Sequence, residues 1–245
     1  MKHTLLAMLI VLLIADAQAQ KTYLNNRLLL ERISNNNHLI TGSSGMISGL
    51  PAAPPGVVGD AFLRDYFSNG VMLLYEGDQV VGGYAIKYDI QRDDFYLKRD
   101  RSIRVLAGSK VKNVVLVDSL SGVQEMFVNG SLLKDAEGTP YFGFFQVLRD
   151  GSLALLRRTH IEVKAPDFHP ALNVGSKDHR VVKHQRYFYA RDGKALPIPS
   201  GKKFISIFPG QEEAVASFIK INRLNTKSDA HLKAIFEQYE KLTGQ

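Results

Sequence analysis

Four of the seven histidines in this 245-residue sequence, His160, His169, His179 and His184, fall within one short stretch. Asp167 stands two residues before His169, and Asp178 directly before His179. Imidazole and carboxylate groups gathered this way are ligands for zinc or copper. His169, His179 and His184 are therefore the metal-ligand candidates. Their spacing follows no established metal motif: there is no HExxH and no i, i+4 histidine pair on a helix. A cofactor is not expected. An envelope hydrolase or metal-dependent enzyme using the His-containing loop 160–184 stands as the second reading.

The same region carries the positive charge. The chain has 31 Lys+Arg against 24 Asp+Glu, a formal charge of +7. Residues 151–200 alone hold nine basic and four acidic side chains. Arg157, Arg158, Lys183 and Arg186 are the candidates for binding an anionic partner: a protein, a lipid headgroup or an acidic glycan. A solvated loop kept charged for solubility is the plainer explanation. Long loops without structure of their own are uncommon unless they are used, which favours binding.

Other chemistry finds little footing. No G-x-S-x-G elbow is present, and Gly201-Lys202-Lys203 lacks the preceding glycine of a phosphate loop. Asp93-Asp94 is a carboxylate pair, but neighbours on a turn point apart into water, whereas glycosidases need two carboxyls facing across a cleft. Tyr187-Phe188-Tyr189 splits by alternation, with Phe188 on one face and both tyrosines on the other.

These side chains must be positioned by strands. Tyr84, Ile86, Tyr88 and Ile90 alternate with small or polar residues, and Phe95 and Leu97 alternate on the way back from the Asp93-Asp94 turn. Val111 to Val117 is more apolar, as a central strand would be. Asn129-Gly130, Asp150-Gly151 and Asp192-Gly193 signal hairpin turns. Phe204 to Ile207 reads as a further strand. Residues 165–183 lack a convincing strand and predict a long basic excursion, with the next strand starting near Arg186.

After Pro209-Gly210 the period becomes helical. Val215, Phe218 and Ile219 mark one helix; Leu232, Ile235, Phe236, Tyr239 and Leu242 mark a second, with Ser228 as its N-cap. The expected fold is mainly β with α: an antiparallel β sandwich or open barrel followed by two C-terminal helices.

The chain opens with Lys2, an apolar run from Leu5 to Ala15, and Ala17-Gln18-Ala19, the pattern of a cleavable leader. The organisation expected is a signal peptide at 1–19, then an N-terminal segment with a flexible Gly/Pro/Ser linker at 20–59. A β domain at 60–208 and a helical pair at 209–245 follow. No later run is long enough to span a bilayer. Cysteine is absent, which excludes disulfides and thiolate chemistry and fits a bacterial envelope better than a small disulfide-stapled secreted domain. The expected location is outside the cytoplasm, in the periplasm, on the outer membrane or beyond it. Export makes nucleic acid an unexpected partner, and no stacking motif of a nucleic-acid module is present.

The order of elements carries a resemblance. It runs from the leader through Tyr84-Ala85-Ile86-Lys87-Tyr88-Asp89-Ile90 and its return strand to the hairpin bearing Leu155-Leu156-Arg157-Arg158. The basic loop, Arg186-Tyr187-Phe188-Tyr189 and Phe218-Ile219-Lys220-Ile221-Asn222 complete it. This order, over residues 60–242, resembles a group of exported β-rich proteins of Gram-negative envelopes to which no activity is assigned. The resemblance implies architecture and compartment only. The leading expectation is a non-enzymatic envelope protein that binds or scaffolds an anionic component. A structural domain whose partner meets an open sheet edge is a third.

Overall fold

The computed structural model of the protein describes residues 47–48, 56–118 and 121–244. The predicted leader, 1–19, and most of the predicted linker lie outside the described residues. Among the described residues, twelve strands and two α-helices follow in chain order. The strands are β1 (Ile47–Ser48), β2 (Val57–Val58), β3 (Ser68–Leu74), β4 (Val80–Asp89), β5 (Asp94–Arg99) and β6 (Ser102–Ala107). Then come β7 (Val111–Val117), β8 (Gln124–Asn129), β9 (Phe144–Arg149), β10 (Ala154–Lys164), β11 (His179–Arg191) and β12 (Lys194–Pro197). The helices are α1 (Glu212–Ile221) and α2 (Asp229–Thr243).

The fold is mainly β, one large open sheet with two C-terminal helices. Its order is β1-β6-β5-β4-β3-β7-β8-β9-β10-β11-β12, antiparallel along that path, and β2 adds to β11 in parallel. Register places Tyr88 opposite Phe95, and Phe95 opposite Leu106. On the same face, Met72 lies opposite Val114 and Val114 opposite Phe127. These residues form one buried cluster with Ile86, Leu97 and Phe144.

That face is folded onto itself. The Tyr88 ring on β4 packs edge-on against Phe144 on β9 at 5.3 Å between centroids. Four steps along a flat sheet would separate those strands by about 19 Å. The sheet therefore curls into an open trough with an aromatic core.

The inner-face row continues from Phe127 through Gln146 and Arg157 to Tyr187. There the helices close over it. Leu153, Leu155, Val215, Leu232, Ile235 and Phe236 form a second cluster. Phe208 is fully buried, with Phe204, Phe236 and Tyr239 rings 5.3–5.4 Å away. The opposite face carries a third cluster around Phe145, Leu156 and Phe188. Tyr187-Phe188-Tyr189 thus divides as alternation requires, the tyrosines towards the helices and Phe188 away from them.

Several local expectations change. Residues 201–207 form a 3-10 helix, not a strand, because Phe204, Ile207 and Phe208 follow a one-turn spacing that buries them together. Asn129-Gly130 opens a 3-10 turn rather than a hairpin; the buried Asn129 amide donates to the Gly108 and Val111 carbonyls instead. The Asp192-Gly193 turn does form, both residues taking positive φ, and joins β11 to β12. Within the predicted linker, Ile47–Ser48 pairs with β6 and Val57–Val58 with β11. Ser228 occupies the N-cap of α2, but its side chain makes no capping bond. No helix among the described residues is long and apolar enough to cross a membrane.

Candidate functional site

The basic excursion is an ordered ribbon. β10 and β11 pair continuously from Ala154–Ala190 to Lys164–Arg180, so the strand begins at His179 rather than near Arg186. The connecting tip is 165–178, stabilised where His169 N–H donates to the Val174 carbonyl at 2.8 Å and where Asp167 accepts from Ser176 N–H at 2.7 Å.

Most cations of this region already have partners. Arg157 donates to Gln146 and to the Asp229 carboxylate, 2.6 Å away. Arg180 meets Asp167 at 2.8 Å, Lys183 meets Asp60 at 3.1 Å, and His184 meets Glu162 at 2.8 Å. Arg186 lies over the Phe188 ring at 5.8 Å. The charge excess read from the sequence is therefore spent largely on holding the ribbon and the helices in place.

The histidines do not assemble as ligands. His184 stacks on His160 across the ribbon at 5.5 Å, His169 sits in the tip, and His179 stands at the start of β11 beside β2. Among the described residues no three His, Asp or Glu side chains gather as a metal site.

Arg158 is different. It points to the face opposite Arg157, over the Tyr141 and Phe145 rings at 5.3 and 5.4 Å, and donates to the Phe142 carbonyl at 2.5 Å. No carboxylate pairs with it among the described residues. Burial lowers its pKa from the usual arginine value, and the Tyr141 and Tyr88 rings offset part of that. Beside it opens a cleft of about 380 Å³, bounded by Tyr88, Phe142, Phe144, His160, Ile161 and Val163 among others. Its volume falls within the range of small-ligand sites.

The cleft exists because β9 leaves β10. The two strands pair only between Leu155 and Arg157, and segment 142–144 then diverges from β10. Gly143 takes positive φ there, and a Cβ on it would stand 3.1 Å from the Tyr88 hydroxyl. The wall behind is a hydrogen-bonded pair: Tyr88 donates to Asp93 at 2.8 Å. Burial, then the neighbouring Asp93, pushes the Tyr88 phenol far above its ordinary value. Burial also raises the Asp93 carboxyl, with the Tyr88 bond acting the other way. Asp93 is thus not bathed in water, as a turn residue was expected to be. It takes positive φ and is buried beneath Gly108, where an added Cβ would come within 2.3 Å of its Oδ1.

Tyr88, Asp93, Phe142 and Gly143 escaped the sequence reading as site residues. The five-residue separation of Tyr88 and Asp93 across a turn was the one signal within reach. The fold and the cleft together define an open, curled antiparallel sheet with a half-buried cation at the edge of its trough. No family model, curated protein or solved structure matches the chain.

Proposed function

We propose that the protein is an exported, non-enzymatic component of the bacterial envelope that binds an anionic partner, with Arg158 and its cleft as the recognition centre. The observation that carries this reading is a half-buried guanidinium beside a cleft of mixed polar and apolar lining, without a carboxylate partner among the described residues. A desolvated cation is stabilised most by a charge-assisted bond from an incoming anion. Arg186 and His160 add positive charge or donors nearby, since both Arg186 and Arg158 act on His160. Arg157 and Lys183, also expected to bind, contribute through the fold instead. The leader pattern at 1–19 and the lack of cysteine support an exported setting.

Binding of decanoate to the chain lacking residues 1–19, followed by calorimetry at low and high salt, tests the reading. Saturable uptake that Arg158→Gln weakens by about tenfold supports it. Uptake equal in both proteins overturns it, and so does the failure of both decanoate and a peptide with a free C-terminal carboxylate to bind at either salt concentration.

A further inference from the structure

The cleft has one wall of unusual kind, a strand edge left free by the described residues. Beyond Arg157, the only ladder partner of β10 among the described residues is β11. In an antiparallel ladder, alternate residues turn their N–H and C=O groups away from the partner strand. No backbone hydrogen bond outside the ladder reaches residues 158–164 from any described residue. The far edge of β11 is treated differently: β2 covers it at Val57–Val58 and β12 at Lys194–Pro197. Proteins ordinarily cover or blunt such edges, because they pair with whatever extended chain arrives.

The lining reflects this position. Arg158 and His160 reach the cleft from one face of β10, and Thr159, Ile161 and Val163 from the other. A groove lined from both faces of one strand runs along its edge. An extended chain lying in it would send alternate side chains to the two faces. Those on one side would meet Ile161 and Val163, which is 47 % exposed; Ile90, Phe142 and Phe144 form the opposing wall. The six residues 159–164 offer about 20 Å of edge, enough for a short peptide.

We infer that this groove takes the C-terminal end of an extended apolar peptide, which pairs antiparallel with the free edge of β10 and sets its terminal carboxylate against Arg158. The inference rests on the proposed anion-binding reading and names its ligand. Charge complementarity fixes the orientation. The unpaired cation lies where β9 diverges, at the closed end, so the carboxylate belongs there. The peptide then runs towards Arg158 while β10 runs away from it. Backbone chemistry selects a peptide over an acyl chain, since an alkyl ligand would leave the outward N–H and C=O groups of 159–163 unpaired beneath it. Strand addition with carboxylate capture combines two established ways of recognising peptides.

The test compares three probes on the chain lacking residues 1–19: an N-acetylated hexapeptide ending Ala-Val-Phe with a free carboxylate, its C-terminal amide, and decanoate. The free acid is expected to bind at least about tenfold more tightly than the amide, the loss of one charge-assisted bond. It should also slow amide exchange at alternate residues of 159–163. Arg158→Gln should abolish the preference for the acid. Because that arginine packs on two rings, the acid–amide comparison on the unaltered protein decides the matter if the variant fails to fold. Equal binding of acid and amide overturns the inference. Uptake of decanoate without peptide overturns it while leaving the anion-binding reading intact, and uptake of neither overturns both. A dimer with protected 159–163 amides and no peptide uptake overturns it in favour of a second copy on that edge.

Discussion

Arg157 and Asp229 face each other at 2.6 Å, joining the inner face of the sheet to the first turn of α2. The other Asp229 oxygen accepts from the Tyr187 hydroxyl at 2.5 Å. One carboxylate at a helix N-terminus, where the backbone dipole already favours negative charge, thus holds two neighbouring strands. Asp229→Asn keeps the shape and removes the charge. It is expected to cost about 1 kcal/mol, discounted for the partial exposure of both partners. Urea unfolding reads the change, and an unaltered midpoint with an unaltered slope would show that the clamp carries no stability.

The aromatic knot beneath the helices should be far more costly to open. Phe208→Ala removes a fully buried ring held by three others, and the expected loss is about 3–5 kcal/mol. The inner trough around Tyr88 lies in a separate cluster. Denaturation followed by near-ultraviolet dichroism should show the large shift; a loss below about 1 kcal/mol would mean the helices are not docked as described.

The Asp93 carboxyl gives the stability a definite pH dependence. Burial raises its pKa above the ordinary 3.8, so the folded chain holds this proton more tightly than the unfolded one. Its contribution is complete below about 3.8 and is lost as pH climbs through the raised value. Asp93→Asn retains an acceptor for Tyr88 and tolerates the left-handed backbone at this position. The variant should unfold at higher urea concentration than the parent at pH 7, the gap narrowing as acid protonates the parent. A less stable variant at pH 7 contradicts the account.

The ribbon responds in the opposite sense. Burial, followed by His184, Arg158 and Arg186, lowers the His160 pKa below 6.5, while Glu162 acts the other way. The folded ribbon therefore binds that proton more weakly than the unfolded strand. Its stability is complete above about 6.5 and falls as pH drops through the depressed value. Hydrogen exchange at 159–164, corrected for the intrinsic rate, should show less protection in mild acid. His160→Gln should remove the difference, and a pH-independent ribbon in the parent would sink the prediction.

The trough was legible in the sequence because its strands have one buried face and one less buried face. Tyr84, Ile86 and Tyr88 announce themselves by alternation, and so do Phe95 and Leu97. The return strand of the ribbon was not, because residues 179–185 have no buried face. His179-Arg180-Val181-Val182-Lys183-His184-Gln185 follows no period, and the stretch resembles a loop. Asp93 misled for a different reason. Its burial depends on Tyr88 across the hairpin and on Gly108 from the end of β6, neither of which spacing alone reveals. The cleft is a matter of register, since it opens where β9 stops pairing with β10. The two-residue strands β1 and β2 are too short to leave any pattern.

Those two strands place a limit on how far the trough can gape. β1 lies on β6, at one end of the strand order, and β2 lies on β11, eight ladders away. In a flat sheet that distance would be about 38 Å. Yet Ser48 and Val57 are separated by nine peptide units, which reach no further than about 32 Å. Chain length alone therefore keeps the two rims that these strands extend closer together than a flat sheet would place them.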